Sequence, residues 1–354
     1  MPVAISTFDA DSVLNHIVTG SMPSSALPLV APEQVGLSAA RLDRVRTWMN
    51  GWVDSRKLAG MVTCVMRRGE LAFAEVVGKS DVARNKPMRA DTIFRIYSMT
   101  KPITGVAMMM LFEEGKWQMD DPVTKYVPEL AGSAYDGTTV RHILTMSSGV
   151  AFNEDYLDFW SDINRMGRVL ALGGSMDGFA ADMKDRSAEP GARMHYVSID
   201  THVLGMVIRG ATGEDIPDLL ERHILAPMGM EAAPYYLTDG YGVSFVLGGM
   251  NMTTRDYARF GQMIAQGGMW QGRQIVPRDW VDASTTPSAP GGAGYGYQWW
   301  IADGASPGEV NAQGIYGQYI WIDRARNIVI AVNVGSPLLP AESVGSLLTI
   351  SAQM

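Results

Sequence analysis

Cysteine is nearly absent from this sequence: Cys64 is the only one among its 354 residues. A single cysteine cannot form an internal disulfide, so the chain does not require an oxidising compartment. Long hydrophobic runs are also missing, and the first residues lack a charged segment followed by an apolar one. These absences predict a cytoplasmic protein that does not associate with a membrane.

Basic residues are outnumbered, with 29 Lys and Arg against 37 Asp and Glu and a formal net charge of −8. An acidic surface repels phosphate backbones, so nucleic acid is not an expected partner. The five histidines show neither His-x-x-x-His spacing nor a cysteine cluster; they are His16, His142, His195, His202 and His223. We therefore predict no metal, no cofactor and a small molecule as the partner.

The most informative feature that is present is the Ser-Met-Thr-Lys tetrapeptide at residues 98–101. A serine and a lysine three residues apart on a helix share one face, so a neutral amine at Lys101 can take the proton of Ser98. Pro102 is tolerated in a first helical turn and an apolar run follows at residues 106–112, which predicts a buried helix beginning at or just before Ser98. This setting favours a nucleophile with its own base over the plain alternative, a capping serine beside a solvated lysine.

A second motif is the segment 195–198, which follows a Glu-Pro-Gly turn and precedes an apolar helical stretch. A tyrosine on a loop at a helix start can present its phenol to a pocket, where Tyr196 would act as a proton shuttle. The alternative is a plain packing tyrosine. We expect the neighbouring His195 to point away from the chemistry.

The third motif covers residues 313–318 and contains two glycines between strand-like segments at 295–301, 319–322 and 328–332. Glycine inside a strand marks close approach by a ligand or by another backbone, and an edge strand can lend an amide to an oxyanion hole. A simple bulge is an equal alternative for this segment taken alone.

In this order the three motifs resemble those of the penicillin-recognising serine hydrolases: Ser-x-x-Lys, Tyr-x-Asn or Tyr-x-Ser, and a glycine-containing triad on a strand. Further similarity lies in residues 32–38, 94–101, 142–149, 154–158, 254–261, 314–318 and 321–323. The chain is most similar to the class C β-lactamase branch that includes family VIII carboxylesterases and 6-aminohexanoate-dimer (nylon-oligomer) hydrolases. The resemblance implies a β-lactamase/transpeptidase-like α/β (α+β) fold, with an antiparallel sheet built from both termini and an inserted, mainly helical lobe.

The resemblance also implies roles for particular residues. It makes Ser98 the nucleophile, Lys101 the base and Tyr196 the proton shuttle. It assigns the oxyanion hole to the backbone amides of Ser98 and Ile315. The residues expected to bind substrate are Tyr156, Ser198, Gly314 and Tyr316.

One departure from the family pattern bears on the substrate. Where β-lactamases and D-Ala-D-Ala peptidases carry Lys-Thr-Gly or His-Thr-Gly, residues 312–314 read Ala-Gln-Gly, and no lysine follows Lys184. We therefore predict a serine hydrolase that cleaves carboxylic esters or linear amides through an acyl-enzyme on Ser98. Two alternatives remain. The first is a β-lactamase or D-Ala-D-Ala peptidase-type enzyme, since an arginine from another element can supply the cation. The second is a non-catalytic relative that keeps the pocket.

A competing nucleophile lies in the Gly-Ala-Ser-Pro-Gly segment at residues 304–308, which fits the Gly-x-Ser-x-Gly elbow of α/β-hydrolases. In that elbow the residue after the serine donates its N–H to the oxyanion. Pro307 has no N–H, and the segment reads as a turn between two strands, so Ser306 is not expected to be the nucleophile.

The order of elements predicts two interleaved parts. Residues 1–97 and 251–354 form a sheet domain, residues 98–250 form an inserted helical domain, and the active site lies at their junction. Within the first part we predict a helix over 38–56 and a hairpin with strands at 61–66 and 71–77. A final helix is expected near 341–351, and residues 1–31 are expected to wrap the surface or cover the pocket. A homodimer is compatible with the sequence.

Overall fold

The computed structural model describes residues 15–17 and 26–335. The strands are β1 (Asn15–Ile17), β2 (Gly60–Arg67), β3 (Glu70–Asp81), β4 (Lys86–Pro87), β5 (Ile93–Arg95), β6 (Tyr235–Leu237), β7 (Met250–Thr253), β8 (Met269–Trp270), β9 (Arg273–Gln274), β10 (Glu309–Gly314), β11 (Gln318–Asp323) and β12 (Ile328–Val334). The α-helices are α1 (Ala39–Asp54), α2 (Thr100–Glu113), α3 (Val140–Leu144), α4 (Asp162–Ala171), α5 (Met176–Ala181), α6 (Ser198–Thr212), α7 (Ile216–Leu220), α8 (Ala226–Met228), α9 (Thr254–Ala265) and α10 (Arg278–Ser284). Short 3₁₀ turns cover Pro32–Val35, Tyr97–Met99, Val123–Lys125, Pro128–Leu130 and Pro290–Gly292, and a π turn covers Glu221–Leu225.

The main sheet has six strands in the order β10-β11-β12-β2-β3-β4, and each neighbouring pair is antiparallel. Its two halves come from opposite ends of the described chain, because β12 pairs with β2 and places Ala331 opposite Cys64. The hairpin predicted at 61–66 and 71–77 is confirmed as β2 and β3. The fold class predicted from the sequence is therefore confirmed, with an antiparallel sheet joined to a largely helical segment.

Helices cover both faces of this sheet. On one face Leu42 of α1 belongs to the same buried cluster as Phe73 of β3. On the other face Phe260 of α9 belongs to the cluster that contains Ile320 of β11. The approach of α9 is close, since a Cβ on Gly261 would lie 2.4 Å from the Ile320 Cδ1 atom and 2.8 Å from the Val329 Cγ1 atom. The result is a three-layer core in which apolar burial supplies the main driving force.

The segment between the two halves of the sheet is mainly helical, with α2 at its centre. Ten consecutive residues from Thr100 to Met109 are buried, so α2 is enclosed on all sides and packs against α6. A smaller antiparallel sheet, in the order β1-β6-β7-β5, joins strands from either side of the predicted boundaries at 97 and 250. The exact division into 1–97 with 251–354 and 98–250 stays a prediction.

The strand predicted at 295–301 is wrong. That segment forms only isolated bridges, between Tyr295 and Trp300 and between Trp300 and Asn311. The chain turns at Gln298, whose φ is +65° and whose side-chain amide donates to the Ile143 carbonyl at 3.1 Å. A tertiary hydrogen bond thus overrides a strand-like alternation of apolar residues.

Two further expectations concern parts of the chain that the structure leaves undescribed. The helix predicted near 341–351 lies outside the described residues. Of residues 1–31, which were expected to wrap the surface or cover the pocket, only 15–17 and 26–31 are described. In the described ranges, no helix combines the length and the apolar character needed to cross a bilayer.

Candidate active site

Ser98 and Lys101 meet where a 3₁₀ turn passes into α2. The turn at Tyr97–Met99 places Ser98 at the beginning of the buried helix, and Lys101 follows in its first turn. The Lys101 Nζ atom lies 3.0 Å from the Ser98 Oγ atom, and Lys101 is only 1% exposed. The plain alternative of a solvated lysine is therefore excluded by the structure.

The amine of Lys101 has three oxygen neighbours. Besides Ser98 Oγ, it contacts the Leu247 carbonyl oxygen at 3.0 Å and Ser198 Oγ at 3.3 Å. A neutral amine has two N–H donors and one lone pair, so it can donate to Leu247 and Ser198 while accepting the O–H of Ser98. After taking that proton, the ammonium has three donors for the same three acceptors. The arrangement suits an amine that acts as a base and then holds the proton.

Tyr196 lies close to the amine, two residues before the first residue of α6. The Lys101 Nζ atom is 5.2 Å from the centroid of the Tyr196 ring. The ring stacks on Trp300 at a centroid distance of 5.1 Å and an interplanar angle of 24°. His195 turns away as predicted, with its Nε2 atom 3.1 Å from the Phe152 carbonyl oxygen. The structure therefore brings the first two sequence motifs together around Lys101.

The end of β10, which belongs to the third motif, lies close to the residues that precede Ser98. A Cβ on Gly314 would lie 2.4 Å from the Ile96 carbonyl oxygen, so only glycine lets the strand approach so closely. Ile315 follows, between Gly314 and Tyr316, and both of these neighbours contact the residues that precede Ser98. The motif is thus a site of close backbone approach, one of the two alternatives that the sequence left open.

Ser98 and Ile315 are each adjacent to a tyrosine with left-handed backbone. Tyr97 precedes Ser98 and has φ +49°, and Tyr316 follows Ile315 and has φ +64°. A bulky residue in this conformation costs roughly 1–3 kcal/mol and persists only when its surroundings hold it there. Tyr316 is 45% exposed, so part of its side chain faces solvent.

Glu154 lies at the site although no role was predicted for it from the sequence. Its Oε1 atom accepts a hydrogen bond of 2.5 Å from the backbone N–H of Ser198, at the first turn of α6. A carboxylate at this end of a helix is favoured by the exposed N–H groups and by the helix dipole. Burial, with the nearby Glu154 charge, raises the pKa of Tyr156 well above its usual range. Glu154 therefore connects Tyr156 with Ser198, a long-range contact that no local pattern indicates.

A second residue without a predicted role is Asp200, in the first turn of α6. It is fully buried, and the Tyr135 hydroxyl donates to its Oδ1 atom at 2.9 Å. Burial raises the pKa of Asp200 to about 8, while hydrogen bonds from Ser148 and Tyr135 and the charge of Lys101 act in the opposite direction. A charged residue within an apolar helix was the available sequence signal, but its partners come from distant segments.

The raised pKa of Asp200 predicts a pH-dependent stability. Between the ordinary value of 3.8 and about 8, the folded protein keeps the proton that the unfolded chain releases. The free energy of unfolding should therefore fall as pH rises through this window, by up to about 1.4 kcal/mol per pKa unit, and level off above it. Asp200→Asn, which resembles the protonated form, should weaken this dependence. Urea unfolding of both proteins at pH 5 and pH 9 measures it.

The exposed Asp303→Asn variant is the matched control for this experiment. It should follow the parent protein at both pH values. If Asp200→Asn lost as much stability between pH 5 and pH 9 as the parent, another group would be responsible for the pH dependence.

The competing nucleophile Ser306 lies in an exposed turn between residue 301 and β10. Its backbone N–H donates to Glu309 Oε2 at 3.2 Å, which is ordinary turn chemistry. Ser306 has neither the buried amine nor the helix start that surrounds Ser98.

The sheet, the inserted helices and the Ser98–Lys101 pair define a class: the fold and site are those of β-lactamase-fold serine hydrolases. The family model described as Beta-lactamase matches residues 45–341, and the chain belongs to that family. It is 32% identical over 253 residues to the 6-aminohexanoate-dimer hydrolase of Paenarthrobacter ureafaciens, covering 66% of this chain and 64% of the relative. It is 33% identical over 210 residues to Esterase EstB of Burkholderia gladioli, covering 54% and 50%.

A solved structure supports the same fold. The octameric penicillin-binding protein homologue from Pyrococcus abyssi superposes with a TM-score of 0.72 at 25% identity, covering 88% of this chain and 77% of that chain. The resemblance identified in the sequence is therefore confirmed at the level of family and fold. This chain spans 64% and 50% of the two curated relatives, so its own substrate is a matter for proposal.

Proposed function

We propose that this protein is a serine hydrolase that cleaves carboxylic esters and linear amides by way of an acyl-enzyme on Ser98. The observation that carries the proposal is the buried Lys101 amine, 3.0 Å from the Ser98 hydroxyl and held by Leu247 and Ser198. A serine hydroxyl becomes a useful nucleophile when an adjacent base takes its proton. The similarity to an esterase and to a 6-aminohexanoate-dimer hydrolase supports this class of substrate.

The proposed mechanism uses these groups in turn. Ser98 Oγ attacks the carbonyl carbon while its proton passes to Lys101 Nζ. The carbonyl oxygen becomes an oxyanion, which the amides of Ser98 and Ile315 bind; losing one such donor typically costs about 3 kcal/mol. Tyr196 then delivers its phenolic proton to the departing alkoxide or amine as the carbonyl re-forms, and it takes up the proton held by Lys101, which leaves the amine neutral again. Water then attacks the acyl-enzyme while Lys101 takes one of its protons. That proton returns to the Ser98 oxygen as the ester bond breaks and the carboxylic acid product departs.

The substrate-binding residues are proposed on the same grounds. Tyr156 and Ser198 lie around Glu154 near the lysine, and Gly314 and Tyr316 lie beside the proposed oxyanion hole. No cation stands in the triad at residues 312–314, and we propose that β-lactams are poor substrates for this reason. Partners are proposed to be small-molecule esters or amides.

A substrate panel tests the proposed function. The purified protein should hydrolyse a short-chain p-nitrophenyl ester readily, turn over a linear amide more slowly, and cleave a chromogenic cephalosporin least. Preference for the cephalosporin would assign the protein to the β-lactam-directed enzymes instead. Failure on all three substrates would identify a non-catalytic relative and overturn the proposal.

Replacing the proposed proton donor should affect substrates according to their leaving groups. An alkoxide or amine must be protonated as it departs, whereas p-nitrophenolate leaves unaided. Tyr196→Phe should therefore depress turnover of an alkyl ester or amide by about 100-fold, and of the p-nitrophenyl ester by only about tenfold. Steady-state kcat values for matched esters measure the contrast. Equal losses for both would show that Tyr196 positions other groups and does not donate the proton.

A further inference from the structure

The two proposed oxyanion-hole residues are each adjacent to a strained tyrosine. Tyr97 lies on the side of α2, immediately before Ser98, and Tyr316 lies on the side of β10, immediately after Ile315. Glycine or asparagine is the usual choice for a backbone with these positive φ values. A tyrosine at both positions implies that the side chains themselves contribute something that glycine would not.

That contribution is visible in the contact between the two rings. Tyr97 and Tyr316 pack edge to face, with centroids 5.3 Å apart and an interplanar angle of 74°. This is a preferred geometry for aromatic pairs. The contact joins the beginning of α2 directly to the turn between β10 and β11, which are the two segments that carry the proposed oxyanion-binding amides.

Arg95 packs against the Tyr97 ring of this pair. Its guanidinium carbon lies 4.6 Å from the centroid of the Tyr97 ring and 5.6 Å from that of Phe245. Its Nε atom donates to the Gly248 carbonyl oxygen at 2.9 Å. Gly248 follows Leu247, whose carbonyl holds Lys101, so the same short segment supports both the base and the tyrosine pair.

We propose that the Tyr97–Tyr316 pair, braced by Arg95, sets the separation of the Ser98 and Ile315 amides. These three side chains are positioning residues for the hydrolysis, and the inference rests on the proposed function. Two donors stabilise a tetrahedral oxyanion only when both lie at hydrogen-bond distance from it, and a small displacement of one donor weakens that stabilisation. The ring contact fixes two chain segments that are remote in sequence but must act as one site.

Glycine variants separate the ring contact from the backbone conformation. Tyr316→Gly and Tyr97→Gly both tolerate a positive φ, but each removes a ring. We expect kcat on a p-nitrophenyl ester to fall about tenfold to a hundredfold in both variants. KM should stay within about threefold of the parent value in Tyr97→Gly, whereas Tyr316→Gly should also raise KM because Tyr316 is proposed to bind substrate. Affinity for an alkyl boronate, which mimics the tetrahedral intermediate, should fall by the same factor as kcat. The Tyr→Phe variants keep the ring and should recover most of the lost rate.

One control and two further variants complete the experiment. Tyr241→Gly removes a ring that is 75% exposed and should leave both constants unchanged. Should a glycine variant fail to fold, Tyr316→Asn tests the same point, because asparagine also tolerates a left-handed backbone. Arg95→Met should lower kcat in the same direction, and by less than either glycine variant.

The inference would be overturned if the glycine variants kept the parent kcat and the parent affinity for the boronate. It would equally be overturned if KM rose while kcat stayed constant, since Tyr316 would then only contact the substrate. Ser98→Ala, assayed in parallel, reports separately on the proposed function. An active Ser98→Ala variant would contradict the proposed function. If Ser98→Ala is inactive and the glycine variants are fully active, only the positioning role is contradicted.

Discussion

Ser98→Ala should reduce hydrolysis of a p-nitrophenyl ester by about 10⁴-fold or more, to the rate of the uncatalysed background. The reason is that the change removes the hydroxyl on which the proposed acyl-enzyme forms. The change removes a single oxygen from a helix whose packing residues stay in place, so thermal unfolding should be little affected. Initial rates and the unfolding midpoint, measured on the same preparations, give both results.

Ser306→Ala is the matched control for this prediction. Ser306 lies in an exposed turn without a neighbouring amine, so its alanine variant should keep the parent rate within about twofold. A loss of activity in the Ser306 variant together with retention in the Ser98 variant would reverse the assignment of the nucleophile.

Lys101→Arg should be nearly as damaging as Lys101→Ala, with each variant losing about a thousandfold or more in kcat. Arginine keeps a positive charge but does not deprotonate near neutral pH, so it cannot accept the proton of Ser98. It is also larger than lysine, and the site is buried between Ser198 and Leu247. Comparison of kcat and of the unfolding midpoint for the two variants separates lost chemistry from lost packing.

A stably folded Lys101→Arg variant with most of the parent activity would contradict this account. In that case the lysine would serve as a fixed cation that stabilises the oxyanion or orients the serine. A Lys101→Met variant helps to judge the packing contribution, because methionine is unbranched and adapts to an irregular buried space.

The central pair of the site could be predicted from the sequence because its geometry is local. Ser98 and Lys101 are three residues apart, in a 3₁₀ turn and in the first turn of α2 that follows it, and the apolar run after Pro102 already indicated burial. The same holds for the hairpin of β2 and β3, where alternation and a glycine turn act over a few residues. Local regularities of this kind depend on backbone geometry that every helix or hairpin shares.

The supporting contacts could not be predicted, because they join segments that are distant in sequence. The Leu247 carbonyl reaches Lys101, and the Glu154 carboxylate reaches the N–H of Ser198. Every residue has a backbone carbonyl, so the sequence does not indicate which carbonyl will contact Lys101. A carboxylate in a loop likewise does not indicate which N–H it will bind. The strand expected at 295–301 was wrong for a related reason: Gln298 forms hydrogen bonds to Thr201 and Ile143 that turn the chain.

Covalent labelling of the nucleophile tests the central claim most directly. The protein would be treated with a fluorophosphonate ester, and its intact mass and then its tryptic peptides would be measured. We expect one phosphonyl adduct per chain, located on Ser98, and its formation should be abolished in Ser98→Ala and strongly slowed in Lys101→Ala. An adduct on Ser306 or on any other residue, or labelling of Ser98→Ala at the parent rate, would contradict the account.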